Sequence, residues 1–401
     1  MNPWLRVFAP FAAGYYLSYL LRNVNAIIAP ELTRDLGVSA ANLGLLTSAY
    51  LFAFGAFQLP LGILLDRYGP RRVESGLLLI AASGCLLFSY GGNLGELALA
   101  RGLIGLGVSA CLMASFKAFS LWFPVDRLPS LNAAVMAAGG LGALTATTPL
   151  AWALPTVGWR GAFVALAVLV TMAAAGIFST PDKPAAATRE TLAEQLRALG
   201  GILASPVFWR FAPQTAFLSG GFMALQGLWA VPWLIEVNGY SRGVTAFHML
   251  LVSIAMLSGF AVLALFVTRL TRIGVTPLRI LTAGIGFGIF VMAGIVADIG
   301  ATHFLWFAMG LVFSVTNLAY ALLSAHFPGH LSGRVTTALN LAAFVGAFGL
   351  QWGIGVLVDW LGDQGMSPHD SFRWTFAVLL ALQALAWIWF VLGTRRTTMA
   401  A

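Results

Sequence analysis

Twelve stretches of roughly 20 predominantly apolar residues, each long enough to cross a bilayer as a helix, follow one another along this 401-residue chain. They fall at approximately 5–29, 41–65, 73–92, 95–121, 129–154, 160–179, 208–235, 243–269, 277–298, 302–325, 333–360 and 372–394. Hydrocarbon leaves no water for backbone N–H and C=O groups, so only helices and closed barrels span it. The short alternating segments of a barrel are absent. With 59% of residues hydrophobic, 9% charged and a mean hydropathy of +0.87, a water-soluble globule is excluded. The expected fold is an all-α membrane protein.

The net charge of +8 follows topology and is not a nucleic-acid patch. With the N-terminus inside, 15 of the 22 Lys and Arg residues lie on cytoplasmic segments. Only Arg34, Arg160, Arg242 and Arg373 lie outside. This positive-inside bias predicts cytoplasmic termini, with anionic lipid headgroups as partners. The first stretch is too long for a signal-peptide core and reads as a retained span. Cys85 and Cys111 both sit in apolar segments, so neither a disulfide framework nor a metal site is expected. No nucleotide-binding glycine loop or nucleophile-base set is present, so an enzyme and an ATP-driven pump are not expected.

The polar interruption from Thr180 to Pro206 splits the spans six and six. It predicts an N-terminal six-helix bundle (1–180), a cytoplasmic linker (181–206) and a C-terminal bundle (207–401). Arg189 to Leu199 reads as a short amphipathic helix with Leu192, Leu196 and Leu199 on one face. The halves echo each other. Asp66-Arg67-Tyr68-Gly69 pairs with Thr271-Arg272-Ile273-Gly274, Phe123-Pro124 with Phe327-Pro328, and Trp159-Arg160-Gly161-Ala162-Phe163 with Phe372-Arg373-Trp374-Thr375-Phe376, at offsets of 205, 204 and 213 residues. Three matches in one order indicate a duplication, and parallel repeats place a substrate site at the midplane between the halves.

Gly62-Ile63-Leu64-Leu65-Asp66-Arg67-Tyr68-Gly69-Pro70-Arg71-Arg72 closely resembles the loop 2–3 signature of the major facilitator superfamily, and the resemblance extends over twelve spans, two repeats and a central linker. It implies two pseudo-symmetric six-helix bundles and a transporter working by alternating access. Within it Gly62, Asp66, Arg67, Gly69, Arg71 and Arg72 form a conformational latch. Arg101, followed by glycines at helical spacing, resembles the family's helix-4 motif. Its two readings are tuning of proton coupling and, preferred here, bracing of helices 1, 2 and 4. Helix 5 carries Gly139-Gly140-Leu141-Gly142 but no glycine before Pro149, unlike the drug antiporters, which disfavours efflux.

Helix 1 resembles that of the organic-anion and sugar-phosphate transporters, a tyrosine-rich turn ahead of an arginine and an asparagine. Helical spacing puts Tyr15, Ser18, Tyr19, Arg22 and Asn25 on one face. The guanidinium of Arg22 suits bidentate recognition of a carboxylate or phosphate; the competing reading has it snorkelling to the interface. Lys117, five residues before the tryptophan of Trp122-Phe123-Pro124, matches a basic position of the same branch, or else reaches the cytoplasm. Arg22, Arg101 and Lys117 are the basic residues within spans, and a charge there costs about 2.5–3.5 kcal/mol on insertion scales. The acids Glu74, Glu236, Asp298 and Asp359 are expected at span ends.

The C-terminal half offers neutral polar groups. Gln226 and Trp229 on helix 7 are the preferred substrate-binding pair, with Asn317 and Tyr320 on helix 10 as further candidates. Individually such residues more often glue helices together. His248 is a candidate proton site, its unperturbed titration falling near neutral pH, with a packing histidine as the competing reading. Helix 7 lacks the second arginine of phosphate-ester exchangers, which favours a monoanion. The expectation is a monomeric, multi-pass secondary transporter of a bacterial inner membrane, carrying a small organic anion, a monocarboxylate-type solute, by symport or exchange, with protons as a possible coupling ion and no cofactor or metal. Carriers of sugars or short peptides, drug efflux and a transport-like sensor are the alternatives.

Overall fold

A computed structural model describes residues 3–124, 127–181, 183, 192–328 and 331–398. The chain forms two compact units, Met1–Glu194 and Gln195–Ala401. In the first, a π-turn at Trp4–Phe8 leads into α1 (Ala9–Leu36). Then come α2 (Ala40–Tyr90), α3 (Leu94–Val108), α4 (Cys111–Trp122), α5 (Leu128–Thr145) and α6 (Thr148–Phe178). α2 is two spans folded back at Gly69, whose φ of 79° is open to glycine and costly for other residues. Pro70 follows, where a missing N–H does least harm. Gly158 turns α6 in the same way, with φ 65°.

The boundary falls inside the linker helix α7 (Leu192–Leu203), and the second unit continues through α8 (Pro206–Gln214), α9 (Gly220–Ala224), α10 (Ala230–Glu236), α11 (Arg242–Arg272), α12 (Pro277–Ala297), α13 (Thr302–Thr316), α14 (Leu318–Ser324), α15 (Ser332–Asp363) and α16 (Pro368–Thr398). Ile202 of α7 is buried in the unit's core with Phe208, Phe211, Leu281, Leu339 and Phe390, and Leu199 and Leu203 pack against that core. The side chains of Leu192 and Leu196 lie outside the described residues.

Among the described residues ten helices, where the sequence suggested twelve, are long and apolar enough to cross a membrane by length and composition. The shortfall is at the first and fifth stretches. α1 is diluted by Arg22, Asn23 and Asn25 together with the acids of its last turns. The fifth stretch is broken after Thr145, leaving a shorter apolar helix at Ser130–Thr145. The fourth stretch breaks between α3 and α4, and the tenth at Asn317.

The seventh stretch is the least regular. Its α-helical pieces alternate with π-turns at Thr215–Ser219 and Leu225–Trp229. Pro213 has no N–H to offer the carbonyl four residues earlier, and that carbonyl, Trp209 O, accepts a hydrogen bond from Trp389 Nε1 at 2.9 Å. Gln383 Nε2 donates to Phe217 O inside the first π-turn, at 3.2 Å. The unravelled backbone is thus satisfied by α16, as burial in an apolar unit requires.

The duplication is visible in packing. A methyl group added at Gly142 of α5 would collide with the Tyr16 carbonyl of α1, and one at Gly346 of α15 with the Ala216 carbonyl of the seventh stretch. Gly105 against Tyr50 and Gly310 against Val252 repeat the relation. The matched arginines also act alike. Arg160 donates to Gly91 O at 3.2 Å and Arg373 to Val296 O at 3.3 Å, each binding a carbonyl at the C-terminal end of the apolar stretch three before its own.

Candidate functional site

The polar face of α1 is held in place by contacts to α2, α3 and α5. The Arg22 guanidinium carbon lies 4.8 Å from the ring centroids of both Tyr19 and Phe54, and the group also interacts with the Tyr50 hydroxyl. Tyr50 in turn donates to Ser18 O at 3.4 Å. Tyr15 and Tyr19 meet edge to face at 5.1 Å between centroids. Gly139 of α5 makes room for these two rings, since a methyl there would stand 2.5 Å from Tyr15 Cε1. Arg22 and Tyr19 are partly exposed, whereas Tyr15 is buried.

Asn25 is more deeply placed than the helical face suggested. It is fully buried, and its Nδ2 donates to Thr47 Oγ1 at 2.6 Å, so its amide fastens α1 to α2. Arg101 is likewise enclosed. Its Nη1 donates to Leu21 O at 3.1 Å and its guanidinium lies 5.0 Å from the Tyr50 ring centroid, joining α1, α2 and α3. Lys117 is partly buried on α4. The Lys183 ammonium donates to Leu121 O at 2.6 Å and lies 5.1 Å from the Trp122 ring, closing the C-terminus of α4, where a cation is favoured.

In the loop 2–3 segment Arg71 stacks on Phe178 at 4.8 Å and Arg67 on Tyr68 at 5.3 Å. Gly62 and Arg72 are exposed and only partly enclosed Gly69 makes the turn. The side chain of Asp66 lies outside the described residues.

One acid departs from expectation. The sequence reading puts Glu74 at a span end. It is fully buried, because α1, α4 and α6 all close over its position on the second arm of α2. Position along one helix does not report what the neighbouring helices cover.

In the second unit Gln226 and Trp229 both fall in the π-turn Leu225–Trp229. π-turns within helices recur at functional sites. Gln226 Nε2 lies 4.0 Å from Met256 Sδ. Trp229 is fully enclosed and donates to Gln351 O at 2.9 Å. Tyr320 donates to Asn340 Oδ1 at 3.2 Å, and Asn317 sits at the break between α13 and α14. His248 is fully buried, with Nδ1 2.8 Å from Val244 O. Its ring stacks on Tyr240 at 5.0 Å and meets His303 at 4.1 Å. Tyr50 and His303 escaped the reading of the sequence, and Gly139 and Cys111 were read there without a place at this site. An aromatic, a glycine or a cysteine in an apolar run carries no signal of its own, and His303 is far from His248 in sequence.

A family model described as Major Facilitator Superfamily matches residues 11–350. A probable sulfoacetate transporter of Cupriavidus necator is 27% identical over 45% of this chain and 43% of its own length. A hexuronate transporter of Escherichia coli K12 is 30% identical over 38% of this chain and 35% of its own. The matched segments thus span less than half of these relatives. A solved structure of a bacterial homologue of the human lysosomal transporter Spinster superposes with a TM-score of 0.81 at 15% identity, covering 98% of both chains.

Proposed function

The chain belongs to the major facilitator superfamily as a multi-pass integral membrane protein, and we propose that it is a secondary transporter that carries a small organic monoanion, a carboxylate, by alternating access. The observation that supports the reading is the seating of Arg22. Its guanidinium rests against Tyr19 and Phe54 on a helix read as a membrane span. A cation is retained in such a place where it serves a substrate or a partner. The planar fork can take both oxygens of a carboxylate, with the phenols of Tyr15 and Tyr19 beside it. The names of the two relatives, a hexuronate and a sulfoacetate transporter, are both those of carriers of organic acids. Lys117 adds positive charge on α4. Within the C-terminal unit Gln226, Asn317 and Tyr320 are candidate neutral hydrogen-bonding groups, and the segment from Gly62 to Arg72 acts as a conformational latch.

The test is thermal unfolding of the purified protein with D-glucuronate, sulfoacetate or D-glucose. A ligand at 100 times its dissociation constant stabilises by about 2.7 kcal/mol. Stabilisation by D-glucuronate, absent in Arg22→Ala, is expected, and stabilisation by sulfoacetate alone would replace the monoanion by a dianion. Stabilisation by glucose and by neither anion overturns the reading in favour of a carrier of neutral solutes.

A further inference from the structure

Glu74 is enclosed by three helices that do not neutralise it. Neither carboxyl oxygen has an N–H or O–H donor within hydrogen-bonding distance among the described residues, and the side chain is fully buried. From α1 it meets Gly14, where a methyl group would stand 2.5 Å from Oε1, and the same gap is bordered by Ile177 of α6. From α4 it meets the thiol of Cys111, a weak donor. Cys111 is within electrostatic range of Tyr15 and Arg22 on α1. One turn earlier on Glu74's own helix, Arg71 is stacked on Phe178.

An ionised carboxylate in such surroundings carries the full cost of its lost hydration, and a buried group of this kind neutralises instead. A glutamine or leucine would pack here without that liability. The carboxyl therefore asks for a role that needs a removable proton, and the elements around it are those that carry Arg22, Tyr15 and Lys117. Gly14, which makes the space for the carboxyl, lies on α1 just over two turns before Arg22 and so moves with it.

We propose that Glu74 is the proton-carrying group of this protein, neutral in the arrangement seen here and deprotonated when α1 and α4 shift, so that one proton crosses with each anion held at Arg22. The proposal rests on the anion-transport reading above. It uses no oxidant or cofactor. The proton leaves the carboxyl for water, and the carboxylate takes one back from the side where protons are more abundant. A monoanion moving with one proton transfers no net charge, so accumulation follows the pH gradient, about tenfold per pH unit, and ignores the membrane potential.

Two measurements test this. The first is infrared spectroscopy of the purified full-length protein at neutral pH. A protonated-carboxyl C=O band is expected that Glu74→Gln lacks and that Cys111→Ser shifts, because a hydroxyl replaces the weak thiol donor. The serine variant assigns the band even where the glutamine variant does not fold. A spectrum without such a band overturns the proposal. The second is accumulation of labelled D-glucuronate in proteoliposomes under an imposed pH gradient. Wild type should accumulate it about tenfold per unit, and in Glu74→Gln the ratio should fall to about one whatever the gradient. Gradient-driven accumulation by Glu74→Gln equal to wild type overturns the assignment, as does its loss in His248→Gln with retention in Glu74→Gln. Wild-type protein that neither binds nor moves any of the tested anions sinks the anion reading instead, and the infrared band then judges Glu74 by itself.

Discussion

The Arg101 guanidinium holds the carbonyl oxygen of Leu21 at 3.1 Å, on the residue immediately before Arg22. Arg101 also lies over the Tyr50 ring, and Tyr50 bonds the Ser18 carbonyl one turn below Arg22. Two carbonyls of α1 are thus gripped from α2 and α3, which fixes the rotation of α1 and the direction in which Arg22 emerges. Arg101→Ala should remove a buried charge-assisted hydrogen bond worth about 1.5–3 kcal/mol, lower the unfolding temperature and weaken D-glucuronate binding together. An Arg101→Ala protein that unfolds at the wild-type temperature contradicts this arrangement.

Arg22 should be needed for binding rather than for folding. Removing the group that faces an anion in a desolvated site costs about 2–5 kcal/mol, at least about thirty-fold in affinity. Arg22→Lys should restore only part of it, since the ammonium lacks the planar fork. Calorimetric titration with D-glucuronate decides the matter. Equal affinities in wild type and Arg22→Ala would move the anion elsewhere.

Gly142 and Gly102 make opposite predictions for the same substitution. A methyl at Gly142 collides with the backbone carbonyl of Tyr16, which has no rotamer by which to yield, whereas one at Gly102 meets nothing within 4 Å. Gly142→Ala should destabilise by about 1–3 kcal/mol as α5 is forced off α1. Gly102→Ala should be neutral or stabilise by about 0.5–1 kcal/mol through helix propensity. Thermal unfolding of both variants in one detergent compares them directly, and equal shifts would disprove the close packing of α1 and α5.

Ten of the spans, the loop around Gly69 and the duplicated motifs were legible because each is written in local terms: apolar length, a glycine followed by a proline, a repeated arginine beside aromatics. The polar face of α1 was legible as a helical period. What escaped depends on other helices. Asn25 lies on the same stripe as Arg22, yet Thr47 lies opposite it and takes its amide. Glu74 sits near the beginning of its apolar stretch, and only the packing of α1, α4 and α6 makes it an interior acid. The π-turns of the seventh stretch follow from Pro213 together with donors on α16, two features about 170 residues apart. No periodicity along one segment reports such a pairing.

Asp35 should give the fold a measurable acid sensitivity at the end of α1, beyond the stretch read as the first span. Arg34 Nε donates to its Oδ1 at 2.9 Å and Trp159 Nε1 to its Oδ2 at 3.0 Å. These two hydrogen bonds, that of Arg34 foremost, hold the carboxyl below its ordinary titration range. A carboxyl depressed in the folded state lends stability above its unfolded value, and that stability is lost as the pH falls through the folded value. The window therefore opens near about pH 4 and extends downward. The Trp159 contact ties the end of α1 to α6, so its weakening should be felt in global unfolding. Between about pH 5 and pH 3 the unfolding temperature of wild type should fall further than that of Asp35→Asn. The asparagine still accepts from Trp159 through its amide oxygen but has no proton to gain in that range. Parallel declines in the two proteins would show that Asp35 contributes nothing to acid lability, and a steeper decline in Asp35→Asn would reverse the sign of the linkage.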